Sequence, residues 1–426
     1  MSNVLLALWI ALIGADRIDL AGGNGPFILT PFLALTPLVL VAEFGRRLSQ
    51  GTRVTVSRTG VLYMLLAGAL LTISMASVFV AQEIPVGAAR AMLLGGDLVG
   101  TLLVALLVAD RDNLPRIMAS GAIAGLGLYL LFDPAEALWW IAKMPQTMRF
   151  GPVLVKFGDL QNLGPLPRLA GPVADGNRAG YVLLCYIMLI ARGEPRAWLR
   201  RTGLFIAAFL MMFTFSRSAM LGVIAASIVT VIERRRISPR VLIGGPLLAA
   251  AAAIVLMAAP TVLDRASRLI DPAVFERFST VEGSGRDHLD LVERGIGEAT
   301  QSIPRALIGL GYGNSYLVLQ DVFPGNRYGS FHSLFVASFA ESGVFALLLV
   351  LILLFVPAVR GGPWRTVIAG SIAFNLFYST VTEPIFWFLL ALAWLTLGRR
   401  RPFVPAESAK AHPQFRLNWR RETNVA

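Results

Sequence analysis

The stretch Ile308-Gly309-Leu310-Gly311-Tyr312-Gly313-Asn314 and, shortly after it, Phe331-His332-Ser333 at the mouth of an apolar run put a glycine-rich loop and one of three histidines close together in the chain. An imidazole moves a proton near neutral pH, and glycines let backbone N–H groups approach an anion closely. The pattern therefore points to proton transfer beside a negatively charged group. Arg217 interrupts an apolar stretch, where a guanidinium is costly unless it pairs, serves a ligand, or snorkels from a helix end. Arg286 and Arg294 lie on a polar helical stretch among Asp287, Asp290, Glu293 and Glu298, a pattern equally expected of a solvated face with local ion pairs. His332 taken alone also fits an interfacial histidine bonded to a loop carbonyl. Convergence distinguishes these readings: Arg217, Arg286, His332 and the pair Asn177-Arg178 come from distant positions yet map to one membrane face in the topology below.

The elements that must position them are membrane helices. Hydrophobic residues make up 56% of the 426-residue chain, mean hydropathy is +0.66, and the apolar runs are long. The fold class expected is an all-α polytopic membrane protein. Apolar runs fall at Val4–Ala15, Phe27–Ala42, Val61–Ala81, Ala91–Ala109, Ile117–Phe132, Gly180–Ala191, Leu204–Phe215, Ala219–Ile232, Val241–Ala259, Ser333–Val356, Thr366–Tyr378 and Pro384–Leu397, which gives about twelve spans. The first run lacks a basic leader and a small-residue cleavage site, so it reads as a retained span. The single cysteine, Cys185, excludes an intramolecular disulfide and a thiolate metal cluster.

Charge fixes the parity. Arg46, Arg47, Arg53 and Arg58, then Arg192 to Arg201, then Arg234 to Arg240, then Arg399 to Arg401 all fall on one side of a twelve-span arrangement, which makes that side cytoplasmic. The net charge of +12 is thus a topology signal rather than a nucleic-acid footprint. Both flanks of Leu204 to Ile232 are basic, so the chain must cross twice there, with Ser216-Arg217-Ser218 as the turn on the outer face. The expectation is one transmembrane domain over 1–398, outer loops at about 133–177 and 263–331, and a basic cytoplasmic tail over 399–426. The second outer loop carries a helical pattern from Gly285 to Ile303. The chain contains no Walker A sequence, zinc-protease motif or nucleophile elbow, and the Gly309/Gly311/Gly313 pattern follows no strand, so nucleotide hydrolysis, common protease chemistry and a dinucleotide fold are set aside.

The order of these motifs resembles the O-antigen ligase and polymerase family. The resemblance rests on Phe213 to Leu221, Ser284-Gly285-Arg286, Gly309 to Gly313, His332 to Phe335 and Glu341-Ser342-Gly343, with Gly176-Asn177-Arg178-Ala179 similar to the start of a span in that family. It covers roughly Asp175 to the last span. The family commonly has Asn after the histidine where this chain has Ser333. The resemblance implies a GT-C-like, metal-independent, inverting glycosyltransferase in the bacterial cytoplasmic (inner) membrane, with both termini cytoplasmic and the active site periplasmic. Its donor would be an undecaprenyl-diphosphate-linked oligosaccharide, and its acceptor a glycan or lipid A core. Membrane lipid and other polysaccharide assembly proteins would be its partners. Arg217 and Arg286 would hold the diphosphate, with Arg178 as a lesser ligand, and His332 would act as general base. Gly311, Tyr312, Gly313 and Asn314 would approach sugar or phosphate, with Asn177, Ser333, Glu341 and Glu383 as further substrate-binding candidates. No metal and no other cofactor is expected. Asp16 and Asp19, acidic residues on the first outer loop, flank Arg17 and read as a solvated turn.

Polymerisation of a surface or exopolysaccharide and ligation to lipid A core would share such a site. A transporter or flippase for a lipid-linked glycan would instead place ionisable groups near mid-bilayer. Only Asp97 clearly sits mid-run by sequence, which favours surface chemistry over passage.

Overall fold

The computed structural model describes residues 2–22, 28–142, 147–156, 162–163, 166–234, 284–322 and 329–397, side chains at 139–140, 162–163, 166–167, 234 and 284–288 excepted. The ninth apolar run, Val241–Ala259, and the tail from 398 onward lie outside the described residues. The apolar runs become helices: α1 (Ser2–Leu12), α2 (Pro31–Ser49), α3 (Arg58–Val78), α4 (Ile84–Val108), α5 (Leu114–Ile141), α6 (Gly176–Gly193), α7 (Ala197–Thr214) and α8 (Arg217–Arg234). After the undescribed segment come α9 (Ser284–Thr300), α10 (Ile303–Ile308), α11 (Ser315–Val318), α12 (Leu334–Arg360), α13 (Arg365–Asn375) and α14 (Pro384–Leu395). Five of these helices are long and apolar enough to cross a membrane by length and composition. Large apolar side chains such as Val41, Leu65, Phe205 and Met212 stand exposed around the periphery, as expected of surfaces that face lipid. The chain is a mostly helical, polytopic membrane protein.

The crossing forced by charge at Leu204 to Ile232 is two helices, and both pack against α6. The turn between them is built by Phe215, whose left-handed backbone (φ 47°) ends α7 and lets Ser216 cap α8. α5 runs past Phe132 to Ile141, through Pro134, because its buried acids Asp133 and Glu136 face the protein. Arg17 pairs with Glu136 and so ties the loop after α1 to α5. That loop and the one after α5 also depart from the all-α expectation. They form a small antiparallel sheet in the order β1-β3-β2, with β1 (Ile18–Asp19), β2 (Thr147–Phe150) and β3 (Val153–Lys156), and β4 (Asn162–Leu163) pairs with β5 (Leu166–Pro167). Two short runs with β-branched or aromatic residues separated by the turn pair Gly151-Pro152 are a hairpin signal, overshadowed in the sequence by the strength of the membrane pattern.

At the centre lies α14, buried at every residue from Ile385 to Leu395 and surrounded by α3, α4, α12 and α13. A helix apolar on all sides belongs in such a position. α12 is broken at Gly343 (φ 81°, ψ −178°), a backbone state open in practice only to glycine. The break receives the last turn of α10: a Cβ on Gly343 would collide with the Leu307 carbonyl, and one on Gly309 with the Glu341 carbonyl. These two glycines interlock α10 with α12.

Candidate functional site

The N-terminal ends of α6, α8, α12 and α14 converge at one end of the bundle, so four positive helix ends face a common region. Asp175 caps α6 by accepting from the N–H groups of Asn177 (2.8 Å) and Arg178 (3.1 Å). The same oxygen accepts from the Tyr378 hydroxyl at 3.3 Å. The Tyr378 ring meets the His332 imidazole edge to face, with centroids 5.8 Å apart. His332 itself has a left-handed backbone (φ 54°). Among the described residues, His332 and Phe215, two positions before Arg217, are the non-glycine residues with positive φ. A left-handed state costs roughly 1–2 kcal/mol in an L-residue, and such strain tends to gather at functional positions.

Arg168 is a site residue that the sequence reading passed over. Its Nε donates to the Thr214 carbonyl at 2.7 Å and its Nη2 to Asn177 Oδ1 at 2.6 Å, so Asn177 orients a guanidinium. Gly176 makes room for it, since a Cβ there would lie 2.5 Å from Arg168 Nε. Arg168 is buried and lies within electrostatic range of both Arg217 and His332. Two like charges brought together beside helix N-termini describe a place for an anion. Burial lowers the pKa of His332 below its usual value, Asp175 opposes this, and Arg168 reinforces it. The imidazole is therefore neutral at physiological pH and able to accept a proton. Burial also lowers the Arg168 pKa, with Asp175 and Tyr378 opposing. The Tyr378 hydroxyl is pushed well above its ordinary range by burial first and by Asp175 second.

Arg178 has a different environment. It pairs with both Asp16 and Glu383, so it joins the loop after α1 to the mouth of α14. Asp16 also accepts from the Ala174 N–H at 2.7 Å, and Asp19 accepts from the N–H groups of Ala21 and Leu29. The turn expected to be solvated is thus a folded junction in which Asp19 and Arg17 are buried. Glu383 is 1% exposed, and its pKa is raised by burial against the pull of Arg178. Ser333 caps no backbone group of α12; its hydroxyl donates to the Asn375 carbonyl at 3.3 Å.

The glycine-rich loop forms a second, neighbouring cluster. Gly313 N–H donates to Glu341 Oε2 at 3.1 Å, the Ser315 hydroxyl donates to Oε1 of the same carboxylate, and Gly311 N–H donates to the Glu341 carbonyl at 3.0 Å. Tyr312 N–H donates to the Ser77 hydroxyl at 3.0 Å, and Asn314 Oδ1 accepts from Glu83 N–H at 2.8 Å. Tyr312, Asn314 and Ser315 are buried. The loop thus turns its polar groups inward, onto α3, α4 and α12. Tyr312 and Glu341 line a narrow crevice together with Leu334 and Ser379. Arg286 lies in the first turn of α9, and its side chain is outside the described residues. Farther along the same helix, Arg294 pairs with Asp321.

Fold and site together define a polytopic membrane protein with a histidine and clustered arginines at one end of its helix bundle. Residues 202–351, about a third of the chain, match the family model described as O-Antigen ligase. The matched stretch includes Arg217, Arg286 and His332, whereas Arg168, Asp175, Arg178, Tyr378 and Glu383 lie outside it. No curated protein matches the chain.

Proposed function

We propose that this protein transfers an undecaprenyl-diphosphate-linked glycan to a sugar hydroxyl at the periplasmic face of the bacterial inner membrane, polymerising repeat units of a surface polysaccharide. Ligation to lipid A core is the alternative outcome at the same site, and the family description keeps it in view. The observation that carries the reading is the meeting of a strained, half-buried, neutral His332 with Arg168 and the helix end that bears Arg217. The acceptor hydroxyl attacks the anomeric carbon of the donor, His332 takes the hydroxyl proton, and the bond to the diphosphate breaks with its electron pair leaving on oxygen. Displacement from the opposite face inverts the anomeric centre. Diphosphate is already a stable anion, so the leaving group needs charge stabilisation more than a proton. Arg217, with Arg168 beside it and Arg286 from the outer loop, supplies that charge through forked hydrogen bonds.

Arg178 and Glu383 then act as the tie that holds the first outer loop on the site, and Gly311 to Asn314 with Glu341 act as the scaffold that sets the mouth of α12. The whole chain from 1 to 398 works as one transmembrane unit, with the loops at about 133–177 and 263–331 on the periplasmic side and both termini in the cytoplasm. No divalent metal enters the step.

Purified protein in detergent, given undecaprenyl-diphosphate-linked repeat units alone and then with lipid A core, tests the reading. Chain growth with release of undecaprenyl diphosphate from the donor alone identifies a polymerase, and release only with core identifies a ligase. No release under either condition refutes transfer and favours a lipid-linked glycan transporter.

A further inference from the structure

Asp175 and Tyr378 are titratable groups that the sequence did not single out, and both face His332. Tyr378 sits in the connection between α13 and α14. Its ring rests on the imidazole and on Phe374, with centroids 5.8 Å and 5.6 Å away. Its hydroxyl reaches Asp175. The connection is held in turn by Asn375, whose Oδ1 accepts from both the N–H and the hydroxyl of Thr380 at 2.9 Å. A rigid aromatic bridge therefore spans from the carboxylate at the N-terminus of α6 to the imidazole at the mouth of α12. Among the described residues, the charged and titratable groups that face His332 include Asp175, Arg168 and Tyr378, and of these Asp175 is the carboxylate.

We propose that Asp175 and Tyr378 form a positioning pair for His332: Tyr378 fixes the plane of the imidazole, and Asp175 stabilises the imidazolium that forms when the acceptor hydroxyl gives up its proton. This rests on the reading of His332 as general base. A neutral imidazole in a half-buried site beside Arg168 is a weak base, because the cation it becomes meets another cation. A nearby carboxylate offsets that repulsion and is effective only when the imidazole is protonated, which is the state that develops in the transition state. Attachment to α6 also accounts for the choice of Asp at this cap position. Asn or Ser would cap the helix equally well, but neither carries the charge.

The substitution Asp175→Asn therefore keeps the cap and removes the charge. Transfer rates of the purified protein with undecaprenyl-diphosphate-linked repeat units, measured from pH 5 to 9, should show two changes. The plateau should fall about 10- to 100-fold, within the range a positioned acid–base group contributes. The acid limb should move to lower pH, because loss of the anion lowers the imidazole pKa and leaves the base form populated at greater acidity. Tyr378→Phe, which keeps the ring against His332, should lower the rate less, and the double variant should be no slower than Asp175→Asn alone, since both act through one imidazole. An unshifted acid limb in Asp175→Asn overturns the proposal, and so does a Tyr378→Phe enzyme with the rate and pH profile of the wild type. Tyr378→Phe leaves the cap untouched and remains decisive if Asp175→Asn folds poorly. Full activity of His332→Ala would refute the general-base reading itself and is scored separately.

Discussion

Replacing Arg178 by glutamine separates a structural arginine from one that holds substrate. In the wild type its guanidinium lies between Glu383, 1% exposed, and Asp16, one-fifth exposed. Asp16 can fall back on water, so little of the cost arises there. Glu383 cannot. Removing one partner of a buried pair costs about 3–5 kcal/mol. The limit is set by Glu383 taking up a proton: at pH 7, against an ordinary value of 4.5, protonation costs about 3.4 kcal/mol. Both routes give about 3 kcal/mol. In the variant the folded state holds a proton that the unfolded chain releases, so stability falls as pH rises above the ordinary carboxylate pKa and recovers on acidification. Lowering the pH from 7 to 5.5 should restore about 2 kcal/mol. The assay is the half-life of monodisperse protein in detergent at fixed temperature, since polytopic proteins unfold irreversibly. Arg178→Gln should shorten it at pH 7 by up to about 100-fold, the shortening should shrink at pH 5.5, and adding Glu383→Gln should recover most of the loss. A variant with the wild-type half-life at pH 7 but no affinity for the lipid-linked donor would refute this reasoning and make Arg178 a diphosphate ligand.

His332→Ala and Arg217→Ala should abolish long glycan chains in cells while leaving the amount of protein in the membrane unchanged; normal chain length in either variant removes that residue from the site. Arg217→Lys should fail as well, because an ammonium cannot make the forked contact, and full activity in it would reduce Arg217 to a topology charge. His332→Gly should be inactive yet outlive His332→Ala on heating, because glycine relieves a left-handed backbone by about 1 kcal/mol; equal half-lives would show that φ 54° carries no strain. Gly343→Ala combines backbone strain with a collision at Leu307, whereas Gly361→Ala at a similar φ of 80° meets nothing closer than the Arg365 guanidinium at 3.9 Å, an ordinary contact. The first should lose at least about 2 kcal/mol more than the second in thermal half-life measurements, and parity would mean that α10 does not lock into the break. Turnover should survive chelation, and a chelated enzyme revived by added divalent cation would contradict metal-free transfer.

Residue spacing and charge made much of this fold legible because both obey constraints that act locally. A run of apolar residues must become a helix in lipid, since its backbone groups have no water to bond, and the basic clusters then fix which ends share a face. Thus the double crossing over Leu204 to Ile232 followed from the arginines on its two flanks, and the chain does turn there, at Phe215 and Ser216, one to two residues before the expected Ser216-Arg217-Ser218, with Arg217 opening α8. What stayed hidden was set by partners far apart in sequence. Arg168 reads as one more loop arginine until Asn177 and Thr214 are seen to hold it, and Tyr378 as the end of an apolar run until its hydroxyl meets Asp175. Asp175 did leave a trace, as an acid immediately before Gly176-Asn177, but that trace reports a helix cap and says nothing of an imidazole more than 150 residues away in the chain.

The glycines carry the opposite ambiguity. Close backbone approach is one physical fact with two uses, to an anion or to another backbone, and a sequence shows only the approach. Here Gly309 and Gly343 bring α10 onto the break in α12, while the N–H groups of Gly311 and Gly313 turn to Glu341. The carboxylate of Glu341 thus meets the need for an anion that the loop advertises. A loop satisfied in this way is stiff, and stiffness is what the mouth of α12 requires. His332 pays for its left-handed backbone only if Ser333 and Leu334 cannot relax, and the interlock at Gly343 anchors the helix that follows them. Loosening that interlock should therefore reach the chemistry as well as the stability: Gly343→Ala should lower the transfer rate even at temperatures where it stays folded, and a fully active, short-lived variant would show that the break and the imidazole are independent.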